Sequence, residues 1–237
     1  MPMAFERLLA RNHMNYRRIQ KSASLSRHFT LVELLVVIAI ISILASLMMP
    51  MLSRALGSAR SVACVSQLKQ HYIGFLSYAD ENQGWLPKYY NGSQTWVEVF
   101  CLNGYSGVTY RQAWGYDGRS ACGIWVCPED ARSLPGGSVN GGVSYAINNI
   151  ITNTASGYKW YKMRQIKTVG QTSLIMDSWV ADLSQGPYFI QPYTQLDRVS
   201  YRHLGRANVL QVDGVVKGYH EVEVPSSKDE PFWGYIQ

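Results

Sequence analysis

The sequence predicts an α+β protein: a long N-terminal helix packed on a small antiparallel β-sheet head with long loops. Three observations carry that expectation. An apolar run from Phe29 to Leu52 passes directly into apolar residues at helical spacing as far as about residue 82. Short Val/Ile/Leu-rich runs bounded by turn residues follow only in the second half of the chain. The 237 residues are 47% hydrophobic and 16% charged, enough apolar material for one ordinary core, which excludes wholesale disorder and collagen-like repeats.

Residues 1–28 form a basic leader. They hold six Arg/Lys against one Glu, +5 of the net charge of +6, whereas the other 209 residues hold 16 against 15. A nucleic-acid-binding body carries its charge as a patch on the folded domain, so no nucleic-acid partner is expected. Met14 would open a shorter leader that keeps Arg17, Arg18, Lys21 and Arg27.

Residues 29–52 are a membrane or filament-core helix. The 24-residue run from Phe29 to Leu52 contains one charge, Glu33, and Thr30, Ser42 and Ser46 as its only other polar side chains. At about 1.5 Å per residue it spans roughly 36 Å, enough for a hydrocarbon core of about 30 Å. A cleaved secretory signal has a shorter apolar region, so this one reads as retained. Basic residues are denser before Phe29 than after Pro50, which places the N-terminus on the inner side of the membrane.

A carboxylate in an apolar helix costs on the order of 3 kcal/mol on insertion scales, so Glu33 is either at the membrane edge or marks a functional site. The string Phe29-Thr30-Leu31-Val32-Glu33-Leu34-Leu35-Val36-Val37, preceded by its basic leader, resembles the processing and methylation segment of type IV prepilins and type II secretion pseudopilins. The resemblance implies cutting by a prepilin peptidase between His28 and Phe29, methylation of the new amine, and Glu33 pairing with the N-terminal amine of a neighbouring subunit. Such pairing offsets the desolvation each charge meets in a bundle of apolar helices. Pro50 matches the late stem proline of that family, and removes one helix hydrogen bond. The family places Gly before the cut where this chain has His28, which implies slow processing or a peptidase adapted to bulkier residues.

Residues 53–82 continue the stem as an amphipathic helix. Its apolar stripe reads Leu52, Leu56, Ala59, Ala63, Leu68, Tyr72, Phe75 and Ala79, and Asp80-Glu81-Asn82-Gln83-Gly84 with Pro87 supplies the stop. The stem would reach roughly 75 Å from Phe29 to about Tyr78. Residues 83–237 form the head. Ser173–Asp177 reads as a short buried strand, and Asn208–Val212, Asp213-Gly214 and Val215–Lys217 as a hairpin with a two-residue type I′ turn. The glycine-rich stretch between Asn91 and Asn149 reads as loops.

Further strings narrow the resemblance to a pseudopilin-like family abundant in planctomycete, verrucomicrobial and lentisphaeral bacteria. These are Ala63–Gln70, Tyr78–Pro87, Trp125–Asp130 and the tail His203-x9-Asp213-Gly214, similar to that family's head signature. Taken alone, Asp213 is explained by turn chemistry and His203 by a backbone hydrogen bond. Calcium stays a possible ligand of Asp213, Asp177 or nearby carbonyls, since major pseudopilins of type II secretion often bind it, but no residues match an EF-hand loop; the expectation is no cofactor. Cys64, Cys101, Cys122 and Cys127 are an even set in a domain expected outside the cytoplasm, open to one or two disulfides, free buried thiols, or zinc. Cys122 and Cys127 have a spacing that could start a zinc site, without a second pair or clustered His to complete it.

No metalloprotease, nucleophile-elbow, phosphate-loop or dinucleotide pattern is present. Gly142-Val143-Ser144-Tyr145-Ala146 lacks the closing Gly and reads as a turn into a strand. The expected function is structural and non-enzymatic: a subunit assembled with other pilins or pseudopilins into a periplasmic or surface filament for protein secretion or a pilus-like system. The alternative is a monomeric membrane-tethered binding module whose head, drawing on seven Trp and 16 Tyr, holds carbohydrate or another surface partner.

Overall fold

The computed structural model describes residues 30–108, 123–130, 143–152, 160–179, 189–190 and 195–234. The leader, His28, Phe29 and Cys122 lie outside the described residues. Helix α1 runs Leu31–Glu81, 51 residues, and continues through Pro50. The chain divides into two compact units, the first ending at Met48 and the second starting at Met49.

In the first unit every described residue is exposed, and the helix is long and apolar enough to cross a membrane, its best 18-residue window averaging 2.8 in mean hydropathy. Its start is chemically defined. Glu33 Oε2 accepts from Thr30 N–H at 2.8 Å and from Thr30 Oγ1 at 2.9 Å, while Thr30 Oγ1 accepts from Glu33 N–H at 3.2 Å. This is a capping box, which satisfies helix donors that no carbonyl can reach.

In the second unit α1 buries Cys64, Leu68, His71, Gly74, Phe75 and Ala79. The expected stripe is therefore correct from Leu68 onward and out of phase before it: Leu52, Leu56, Ala59 and Ala63 are exposed, and the core face begins at Cys64. His71 was absent from the stripe because hydrophobicity does not mark a histidine as core. It packs on Trp125 at 4.4 Å and Tyr145 at 5.4 Å between ring centroids, and its Nε2–H donates to Ile124 O at 2.8 Å.

Burial pushes the His71 pKa down to about 4, against a partial rise from the Ile124 hydrogen bond. The unfolded chain therefore binds a proton between about pH 6.5 and 4 that the folded chain refuses. This contribution to stability is complete above pH 6.5 and falls by about 3 kcal/mol as the pH drops to 4. Denaturant melts of the wild type and His71→Phe across that window check it: the wild type must lose about 3 kcal/mol relative to the variant as the pH falls to 4.

The head holds a five-stranded sheet in the order β3-β1-β2-β4-β5, with β1 Tyr145–Asn148, β2 Ser173–Asp177, β3 Phe189–Ile190, β4 Arg206–Gln211 and β5 Val216–His220. The α+β class and the strand at Ser173–Asp177 stand as expected. The sheet is mixed and not purely antiparallel, because β3 pairs parallel with β1. Side chains alternate across it. Tyr145, Ile147, Ile175 and Leu210 join the core with Leu68 and Phe75 of α1 and with helix α2, Trp96–Leu102. Ala146, Met176 and Val209 form a second core on the opposite face, with Val199, Val224, Phe232 and Trp233.

The β4–β5 hairpin is where expected, but its turn type is not. Gly214 N–H donates to Gln211 O at 2.9 Å and Gln211 N–H to Val215 O at 2.8 Å. Of the turn residues only Gly214 has a positive φ, 83°. That is a type I turn closed by a left-handed glycine, whereas type I′ needs positive φ at both central residues. The type I′ geometry occurs one hairpin earlier, at Leu204 and Gly205, with φ of 53° and 81° and reciprocal His203–Arg206 backbone bonds of 3.0 Å.

Candidate metal centre

Four buried side chains from four separate segments converge in the head. Cys64 comes from the core face of α1, and Cys127 follows the 3-10 turn Gly123–Trp125. Asp177 ends β2 with the same parity as Ile175, so it points toward the α1 side, paired across strands with Tyr145. His203 opens the Leu204-Gly205 turn. One potential ligand atom from each lies within 4.8 Å of all the others.

The contacts are short and mutual. Cys127 Sγ is 3.4 Å from His203 Nε2, and His203 Nε2 is 3.2 Å from Asp177 Oδ2. Cys64 Sγ lies 3.4 Å from Asp177 Oδ1 and 3.2 Å from the Tyr145 hydroxyl, whose own proton goes to Gln67 Oε1 at 2.6 Å. A surrounding layer fixes these groups. Asn208 N–H donates to Asp177 Oδ2 at 2.7 Å, and Glu129 Oε2 faces His203 Nδ1 at 3.4 Å. Next in sequence to His203, the buried Arg202 pairs with Asp130 at 2.7 Å.

Charge is distributed unevenly over the cluster. Burial opposes a charged His203, but hydrogen bonds and charge from Asp177 and Cys127 outweigh it and push its pKa up to about 10. The hydrogen bond from Cys64 draws the Cys127 thiol down, with help from His203 and Arg202. That same bond, together with burial and Asp177, pushes Cys64 up.

Cys64, Cys101 and Cys127 form no disulfide with one another in the structure, so disulfides, buried thiols and zinc stay open as read from the sequence; Cys122 lies outside the described residues. Cys101 sits apart on α2, accepting from Ser106 Oγ at 3.6 Å. Spacing drew attention to Cys122 with Cys127, but the geometry joins Cys127 to Cys64. Asp177 was weighed only as a calcium ligand, although a carboxylate closing an apolar strand was a visible signal.

His203 and Asp213, adjacent in the head signature, have different tasks. Asp213 is a turn residue, its Oδ1 accepting from Val215 N–H at 2.9 Å. Gly214 docks the hairpin on α1: Lys69 Nζ donates to Gly214 O at 2.5 Å, and a Cβ at Gly214 would meet the Tyr72 ring at 2.4 Å. Ser144 donates to Asp130 Oδ2 at 2.8 Å.

Leu204 holds its left-handed φ with 75% of its surface exposed, so it has conformational strain and little packing to offset it. Leu204→Asn should raise head stability by about 0.5–1 kcal/mol, since Asn tolerates this region better than Leu. A shift of the denaturation midpoint at constant slope checks it, and a loss of stability would mean that Leu204 packs more tightly than its exposure implies.

No protein-family model, no curated protein and no solved structure matches this chain.

Proposed function

We propose that the chain is a pseudopilin-like structural subunit, inserted with its N-terminus in the cytoplasm, cut before Phe29 by a prepilin peptidase, and assembled through its stem with other pilin or pseudopilin subunits. The filament stands in the periplasm or at the cell surface and serves a secretion or pilus-like system. The work is mechanical, and no catalytic role is assigned. One observation carries the reading: an unburied apolar helix retains a single carboxylate in its first turn, and that carboxylate is only half used. Oε2 closes the Thr30 cap, while Oε1 has no hydrogen-bond partner among the described residues. An incoming ammonium can therefore pair with Glu33 without dismantling the helix start.

The test separates cap from ion pair. Glu33→Gln keeps a side chain that suits the capping box but carries no charge, and Glu33→Ala removes both. In the native host both variants should abolish filaments, while intact mass and N-terminal sequencing of the wild type should show a methylated Phe29. Filaments from Glu33→Gln at wild-type level, or a retained leader, would sink the proposal in favour of the tethered binding module.

That second reading has a specific site, a cleft of about 300 Å³ lined by Tyr78, Glu81, Asn82, Gln83, Trp85 and Trp160. Its aromatic faces are already engaged. Trp85 and Trp160 stack on each other at 4.2 Å, with Lys162 over the first ring at 5.0 Å and Lys88 over the second at 4.4 Å. Within this cleft each indole thus already has a ring partner and an ammonium, while the half-exposed Trp179 lies outside it.

A further inference from the structure

We propose that Cys64, Cys127, Asp177 and His203 bind one zinc ion, a four-ligand structural centre that ties α1 to the sheet of the head. The donor set selects the metal. Two sulfurs, an imidazole nitrogen and one carboxylate suit zinc, whereas calcium requires six or more oxygens. The shape agrees as well. Tetrahedral zinc bonds of about 2.3 Å to sulfur and 2.0 Å to nitrogen or oxygen put neighbouring ligand atoms about 3.5 Å apart for sulfur with nitrogen or oxygen, and about 3.3 Å for nitrogen with oxygen. The corresponding separations here are 3.4 Å for Cys127 with His203 and 3.2 Å for His203 with Asp177 Oδ2, and one ligand atom from each of the four residues lies within 4.8 Å of the others; Cys64 meets the second Asp177 oxygen, Oδ1, at 3.4 Å.

The surroundings match a built centre. Glu129 Oε2 lies 3.4 Å from the far nitrogen of His203, close enough to orient a ligating histidine once a hydrogen bond forms between them. Asn208 N–H holds Asp177, and the Tyr145 hydroxyl faces the Cys64 sulfur. Two thiolates and a carboxylate on a dication leave one negative charge, and the buried Arg202 guanidinium is adjacent in sequence to the ligating histidine. All four ligands are buried and all come from protein, so no position is left for substrate and the role is structural. A head without a disulfide among its described cysteines gains a cross-link between distant segments in this way.

The experiment uses the full-length chain extracted in detergent without chelator. Elemental analysis should find one equivalent of zinc. Its replacement by cobalt should produce thiolate-to-cobalt charge transfer in the near ultraviolet and the intense visible bands of a tetrahedral site. Chelation should lower the melting temperature of the head by roughly 10 °C or more. Cys127→Ser should weaken cobalt binding more than about tenfold, and Cys101→Ser, a buried thiol outside the cluster, should leave it unchanged. If Cys127→Ser does not fold, the wild-type cobalt spectrum and the protection of two thiols from alkylation decide by themselves. Sub-stoichiometric zinc with no cobalt spectrum, or a Cys64–Cys127 disulfide in protein from its native envelope, would overturn the assignment.

Discussion

Asp130→Ala is expected to destabilise the head by about 3–5 kcal/mol, far more than a surface charge deletion. The Arg202–Asp130 pair is 2.7 Å long, with only 8% and 6% of the two side chains exposed. Asp130 also accepts from Ser144, and its N–H donates to Cys127 O at 2.9 Å, closing the turn that presents that cysteine. Removing the carboxylate leaves a guanidinium out of water hydrogen-bonded only to the neutral acceptors of Ser200 and Ser178, with Asp177 as the nearby charge that remains. Arg202→Met in the same background should recover part of the loss, because the unpaired buried charge is then gone. Chemical denaturation of the four members of this double-mutant cycle provides the check. A single-variant loss below about 1 kcal/mol would mean that the pair behaves as a solvated one.

Gly214→Ala comes next, at about 3 kcal/mol. Two costs add: a left-handed φ of 83° that an alanine adopts poorly, and a Cβ driven to within 2.4 Å of Tyr72 Cε1 and 2.7 Å of its Cδ1. Gly205 is a natural control. Its φ is 81°, nearly the same, and nothing lies within 4 Å of where its Cβ would be. Gly205→Ala should therefore cost only the conformational part, about 1 kcal/mol. The difference between the two melts measures how firmly the hairpin is pressed onto α1. Equal losses would show that Tyr72 swings away and that this contact is soft.

The same residues separate what local pattern conveys from what it does not. Sequence alone determined the long N-terminal helix, the strand at Ser173–Asp177, the hairpin around Asp213-Gly214 and the α+β class, because each is written in periodicity or turn chemistry within a few residues of itself. The Thr30-x-x-Glu33 cap is equally local but was not read from the sequence, where Glu33 stood out only as a carboxylate in an apolar run. Tertiary structure decided the rest. Helical spacing could not say that the buried face begins at Cys64 instead of Ala63, since a helix turns the same stripe whichever neighbour covers it. Hydropathy could not bury His71, whose place depends on two tryptophans and a tyrosine brought from elsewhere. An Asp-Gly pair suggested the type I′ turn that Leu204-Gly205 adopts, because strand register, not turn propensity, sets φ there. The four-residue cluster is the clearest case. Its members sit on a helix, a loop, a strand end and a turn, and spacing carries no information about ligands that only folding makes adjacent.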